Sequence, residues 1–169
     1  MKKYISMLML AAAGLFTITS CDVETDEEPG GTSVEKMAGF WDVTVDAVDE
    51  NGKVTYTDPY GLGTISLSTY NTAANTADSM WISDNKNFWG MQLKVGVNYA
   101  ARTFSCPEKA YAPDAKGKCV ITEGKVLENQ GHNIHGMPCD SIVFKVKFDD
   151  DENGLTYQIS GVRHSGFYE

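Results

Sequence analysis

The sequence predicts an all-β domain, an antiparallel meander of about eight strands closed into a barrel. Three observations predict it. Apolar and polar residues alternate with a period of two through most of the chain beyond residue 36, the pattern of strands buried on one face. Links of hairpin length, rich in Gly, Asn, Asp and Pro, separate these runs, so consecutive strands should lie side by side. No window of ten or more residues there shows convincing helical periodicity; a short helix near 34–38 or within 107–116 is the most the pattern permits. Closing the meander removes exposed edge strands, and about eight strands leave room for side chains or one small ligand.

The elements follow in order. Trp41, Val43, Val45 and Ala47 share one face, and Asp42, Thr44 and Asp46 the other. Asn51 and Gly52 supply a tight hairpin turn, since both tolerate positive φ, and Val54 and Tyr56 lie on the return strand. Asp58-Pro59-Tyr60-Gly61 reads as a turn. Ile65 and Leu67 alternate with Ser66 and Ser68, residues 71–78 form a polar loop, and 80–83 a short strand. The clearest strand is 88–97, where Trp89, Met91, Leu93, Val95 and Val97 share a face. Residues 99–105 and 119–127 alternate less regularly. Ile142, Phe144, Val146 and Phe148 form the next strand; Leu155, Tyr157, Ile159 and Gly161 form the last, after an acidic turn.

Residues 1–20 have the layout of a lipoprotein signal peptide. Lys2 and Lys3 precede an apolar run from Ile5 to Ile18, too short to span a bilayer, which needs about 20 residues. Ile18-Thr19-Ser20-Cys21 resembles a lipobox, in which the Cys21 sulfur receives the lipid and becomes the mature N-terminus. Stable anchoring follows from two or more acyl chains. Five acids among residues 22–33 mark residues 21–36 as an extended acidic tether, leaving 37–169 as the barrel domain. The acidic patch behind the cysteine also resembles a surface-export signal, so the expected address is the outer membrane, exposed at the cell surface. With 14 Lys+Arg against 23 Asp+Glu, the net charge of -9 excludes a nucleic-acid partner, because phosphate binding needs clustered cations.

Cys106, Cys119 and Cys139 remain, and an exported chain permits a disulfide among them. The short separation of Cys106 and Cys119 favours that pair, with three buried thiols as the alternative. No Cys-x-x-Cys pair or His–Cys spacing suggests zinc, and no cofactor is implied.

Gly39, Phe40 and Trp41 match the G-x-W that opens the first strand of lipocalins and other calycins, and Arg163 follows the last strand. In that fold the Trp packs beneath a basic residue from the end of the last strand, with cation–π contact between them. Gly39, Trp41 and Arg163 are therefore expected to close one end of the barrel. Residues 35–169 also resemble the lipid-binding putative hydrolase family of Bacteroides-type lipoproteins. The matching features are the lipobox cysteine, residues 39–43, and the G-x-R-x-[ST]-G-F ending at 161–167. The resemblance implies a lipocalin-like barrel that binds a lipid or other small hydrophobic ligand; it carries no catalytic residues.

Trp41, Trp89, Met91, Leu93, Phe144 and Tyr157 are the candidate lining of such a pocket. The same residues could equally fill a solid core. A cavity of about 300 Å³ or more with an open mouth would distinguish the two. Hydrolysis finds no G-x-S-x-G elbow and no H-E-x-x-H helix. Its one candidate is the polar loop 131–141, with His132, His135 and Ser141 as an esterase-like base and nucleophile. The two histidines could also hold a metal, but no third ligand is evident. Asp149-Asp150-Asp151-Glu152-Asn153-Gly154 opens like a calcium loop, yet Ser160 occupies the twelfth position where a bidentate Glu is required. A solvated hairpin turn is the better reading. A third function class is a surface module docking a glycan or protein through Tyr60, Tyr70 and Tyr111.

Overall fold

The computed structural model describes residues 31–166. The expected signal peptide, Cys21, the expected tether as far as residue 30, and residues 167–169 lie outside the described residues. Strands β1 (Gly39–Val48), β2 (Val54–Thr57), β3 (Ile65–Asn71), β4 (Ser79–Ser83), β5 (Gln92–Asn98), β6 (Thr103–Ala110), β7 (Lys118–His132), β8 (Pro138–Phe148) and β9 (Thr156–Arg163) follow one another along the chain. All neighbours pair antiparallel, and β9 returns to β1 from Trp41↔Arg163 to Val48↔Thr156. The sheet is thus a closed barrel. β2 and β3 pair with the same edge of β1, Asp46 opposite Thr57 and Val43 opposite Ile65. They form one stave interrupted by residues 58–64, so nine strands build eight staves.

The alternation seen in the sequence is the inside–outside alternation of the wall. Trp41, Val45, Ala47, Leu67, Met80, Ile82, Met91, Ile121, Phe144, Tyr157 and Ile159 are each 0 % exposed. Side chains with no surface that water could touch, from outside or within, leave no water-sized void beside them. The barrel interior is filled.

Several local expectations are corrected. The 88–97 strand begins only at Gln92. Residues 84–91 form a loop because the buried Asp84 carboxylate accepts the Lys86 and Trp89 N–H groups at 2.9 and 2.8 Å, and Gly90 adopts φ +71°. The Asn51–Gly52 link is a five-residue connection in which the Asp49 carboxylate accepts the Asn51 and Lys53 N–H groups. Gly52 alone of the two takes positive φ. Loop 131–141 is mostly strand, with only 133–137 turning between β7 and β8. β7 carries register shifts and positive φ at Glu123 and Asn129, which explains its irregular alternation. The helix considered near 34–38 is one turn, closed by Ala38 N–H to the Val34 carbonyl at 2.9 Å.

Candidate functional site

The antiparallel order places the β1 start, the β9 end and the β7–β8 turn at one end of the barrel. The loops 84–91, 111–117 and 149–155 lie at the other, and loop 58–64, which breaks the wall partway along, reaches that end through Tyr60.

The first end is latched by backbone and charge. Arg163 stands over the Trp41 ring, 4.5 Å from its centroid. Its Nη1 donates to the Ala38 carbonyl at 2.7 Å, and its Nη2 reaches the Lys36 carbonyl and the Asp140 carboxylate. Beneath it, Trp41 Nε1 donates to Thr69 Oγ1 at 2.8 Å, which donates in turn to the Met37 carbonyl at 2.6 Å. Val34 and Met37, both 0 % exposed, plug the remaining space. Gly39 is glycine for a concrete reason: a Cβ there would run into Arg163 Nη1. Gly39, Trp41 and Arg163 therefore meet as the sequence motif implies.

The other end is closed by rings, most of them carried on loops. Tyr60 from loop 58–64 and Phe88 and Trp89 from loop 84–91 cluster over Phe148 and Tyr157 at the ends of β8 and β9. Trp89 stacks on Phe148 with centroids 4.6 Å apart and ring planes 10° from parallel. Phe88 meets Tyr157 edge-on at 5.1 Å, and Tyr111 meets Phe148 edge-on at 5.6 Å. Such offset and edge contacts suit the ring quadrupoles and contribute beyond area burial.

Carboxylates hold the rings in place. Trp89 Nε1 and the Tyr111 hydroxyl both donate to Asp150, each at 3.0 Å. The Tyr157 hydroxyl donates to Asp151 at 2.8 Å. With that proton committed, its oxygen accepts from Tyr60 at 2.7 Å. Burial, the Tyr60 hydrogen bond and the Asp151 carboxylate hold the Tyr157 phenol protonated far above the usual tyrosine range. Burial pushes the Asp151 carboxyl up, but hydrogen bonds from Leu155, Tyr157 and Asn153 outweigh it and leave the group below the usual range. The acidic run is the expected exposed turn between β8 and β9, and its Asp150 and buried Asp151 also clamp the lid. Its signal in sequence is indirect: three successive Asp residues next to a strand end, with Tyr157 close by but Trp89 and Tyr111 far away in the chain. The Asp58 carboxylate shapes the Tyr60 loop in the same way, accepting Leu62 and Gly63 N–H groups at 2.8 and 2.9 Å.

Of the candidate pocket residues, Trp41 belongs to the latch, and Met91, Leu93, Phe144 and Tyr157 to the filled interior. Trp89 is the half-buried member, in the lid. Leu93 at 2 % is the most exposed of the other five, so they are not the walls of an open pocket. A small surface hollow of about 180 Å³ lies beside the lid, lined by Cys119, Phe148 and Asp149 among others.

His132 and His135 are exposed at the β7–β8 turn, and Ser141 lies within β8. No hydrogen bond joins the three side chains into a nucleophile–base pair. Among the described residues, no group of three His, Cys, Asp or Glu is placed to hold a metal ion. Cys106, Cys119 and Cys139 are free thiols, so the expected Cys106–Cys119 disulfide is not formed. Cys106 opposes Ile121, while Cys119 opposes Lys109 across a register shift. Burial raises both thiols, Cys119 to about 12. Tyr60 and Tyr111 serve the lid; Tyr70 sits on the outer wall, where its hydroxyl accepts from Gln92 at 2.9 Å.

A single-chain meander barrel, with a Gly-x-Trp strand latched by an Arg from the final strand, is a lipocalin-like barrel. The model of the lipid-binding putative hydrolase family matches residues 26–168. The chain belongs to that family. No curated protein matches it.

Proposed function

We propose that this protein is a lipid-anchored carrier or sensor that admits a single acyl-type ligand through its aromatic end. The observation that carries the reading is the contrast between the two ends. One is latched by hydrogen bonds from Arg163, Trp41 and Thr69, all of which sit on strands; the other is covered by Tyr60, Phe88 and Trp89, all of which sit on loops. Loops are the segments that move at low cost. The filled interior means that a ligand must displace these rings. Three aromatic side chains swinging out would vacate a volume on the order of a few hundred Å³, the scale of a small-ligand site. The family to which the chain belongs and its closed barrel support a lipid or hydrophobic ligand. The lipobox at Cys21 supports a membrane tether, and the acidic segment behind it supports display at the outer-membrane surface.

Native mass spectrometry of the mature chain, with palmitate or lysophospholipid added, tests the reading. One bound acyl chain per protein is expected, with a change in Trp89 emission that Trp89→Phe removes. Absence of bound lipid at saturating concentration would refute the carrier role.

A further inference from the structure

We infer that the β7–β8 turn is a membrane-contact tip that seats the barrel latch-end down on the bilayer. This rests on the reading of the chain as anchored through Cys21.

Large apolar side chains gather at the latch end. Ile134 and Met137, both in the turn 133–137, are 72 % and 53 % exposed, and Phe40 near the start of β1 is 65 % exposed. Isolated exposed apolar residues are ordinary. Two of them in one hairpin turn, with a third large ring at the same end, are a feature that marks interaction surfaces, and Ile134 overhangs an outer-wall hollow lined by Asp42, Ser66 and Val162.

Four of the five N–H groups of the tip are already satisfied. Asn133 N–H donates to the Met137 carbonyl at 3.0 Å, and Gly136 N–H to the Asn133 carbonyl at 2.9 Å. Asn133 Oδ1 accepts the His135 and Met137 N–H groups at 3.0 and 2.9 Å. A turn whose N–H donors are mostly paired internally loses less on entering the headgroup region, where its free carbonyls still meet water. His132 and His135 flank the tip with ring N–H groups suited to headgroup oxygens.

The position of the tether selects a bilayer as the occupant over a second copy or a protein partner. The described chain enters at this same end: Ser33 bonds to Asn75 in the loop between β3 and β4, at the latch end. Nine residues separate Cys21 from Gly31, ten Cα-to-Cα steps, so a lipidated Cys21 cannot lie more than about 35 Å away. An anchor on that leash holds the latch end near the membrane at high effective concentration, and weak apolar contacts then suffice to orient the barrel. The lid end faces away from the bilayer in this arrangement.

The test uses the acylated mature chain in phosphatidylethanolamine–phosphatidylglycerol vesicles containing brominated phospholipid, a contact quencher of indole. Ile134→Trp adds a reporter at the tip, and Val54→Trp adds one on β2 near the lid end. Met137→Trp repeats the measurement one turn position away if Ile134→Trp does not fold. The expected result is loss of most of the emission added at the tip and none of that added at Val54. A chain that floats with the vesicles, yet shows no quenching at either tip position, keeps its anchor and overturns the tip; a protein partner or second copy would then be its occupant. Stronger quenching at Val54 overturns the orientation. A chain that does not float at all sinks the anchoring reading, and the tip with it.

Discussion

Arg163→Ala should be the most damaging exposed-side substitution at the latch end. Arg163, its side chain 30 % exposed, covers a fully buried indole at 4.5 Å, a cation–π contact of about 1–2 kcal/mol. Its 2.7 Å bond to the Ala38 carbonyl is charge-assisted and contributes about 1.5–3 kcal/mol net. The Asp140 bridge at 3.2 Å is part-exposed and adds no more than about 1 kcal/mol. The contributions overlap, so a loss of about 3–5 kcal/mol is expected, a large share of a typical domain stability of about 5–15 kcal/mol. Urea unfolding followed by tryptophan fluorescence should show a lower midpoint at unchanged slope. The thermal midpoint should fall by roughly 6–20 °C. Arg163→Lys should lose less, because the charge stays while the fork geometry goes. A loss below about 1 kcal/mol for Arg163→Ala, the scale of a surface ion pair, would refute the latch argument.

Three further outcomes follow from the same contacts. Gly39→Ala places a methyl against Arg163 Nη1 and should cost about 1–3 kcal/mol in the same assay, as overpacking does. Asp151 titrates below its unfolded value, so its stabilising contribution is complete above the ordinary Asp pKa and is lost as pH falls through the lowered one. Asp151→Asn should flatten the acid limb of stability below about pH 4, seen as a smaller pH dependence of the urea midpoint. In the Cys21→Ser chain, Cys139 should react first with a thiol reagent at neutral pH, because Cys106 and Cys119 are buried with raised thiol pKa values. Equal rates at all three positions would show that the barrel opens between β6 and β7.

The barrel was legible where one physical rule acts alone. Strands buried on one face must alternate, so Trp41–Val43–Val45–Ala47 and Ile142–Phe144–Val146–Phe148 declared themselves. Gly39, Trp41 and Arg163 were legible through their resemblance to the lipocalin pattern, and the physical reasons, a close approach that needs glycine and a cation over an indole face, appear in the structure. The lid was not. Trp89 and Met91 keep the period of two although they sit in or beside a loop, because the Asp84 carboxylate and the Gly90 backbone turn the chain while leaving both side chains inward. The clamping role of Asp150 was hidden because Trp89 and Tyr111 come from distant parts of the chain, and that of Asp151, six residues before Tyr157, because only the folded hairpin turns the Tyr157 hydroxyl back to it.

Sequence alone determined the closed meander, the faces of most strands and the residues of the latch, because each depends on side-chain order along one strand or on a short motif. Only the tertiary structure decided that the interior is solid, that its far end is shut by rings on loops, and that an acidic run clamps them. Packing and carboxylate–aromatic hydrogen bonds depend on which distant segments the closed sheet brings together, and no local pattern records that.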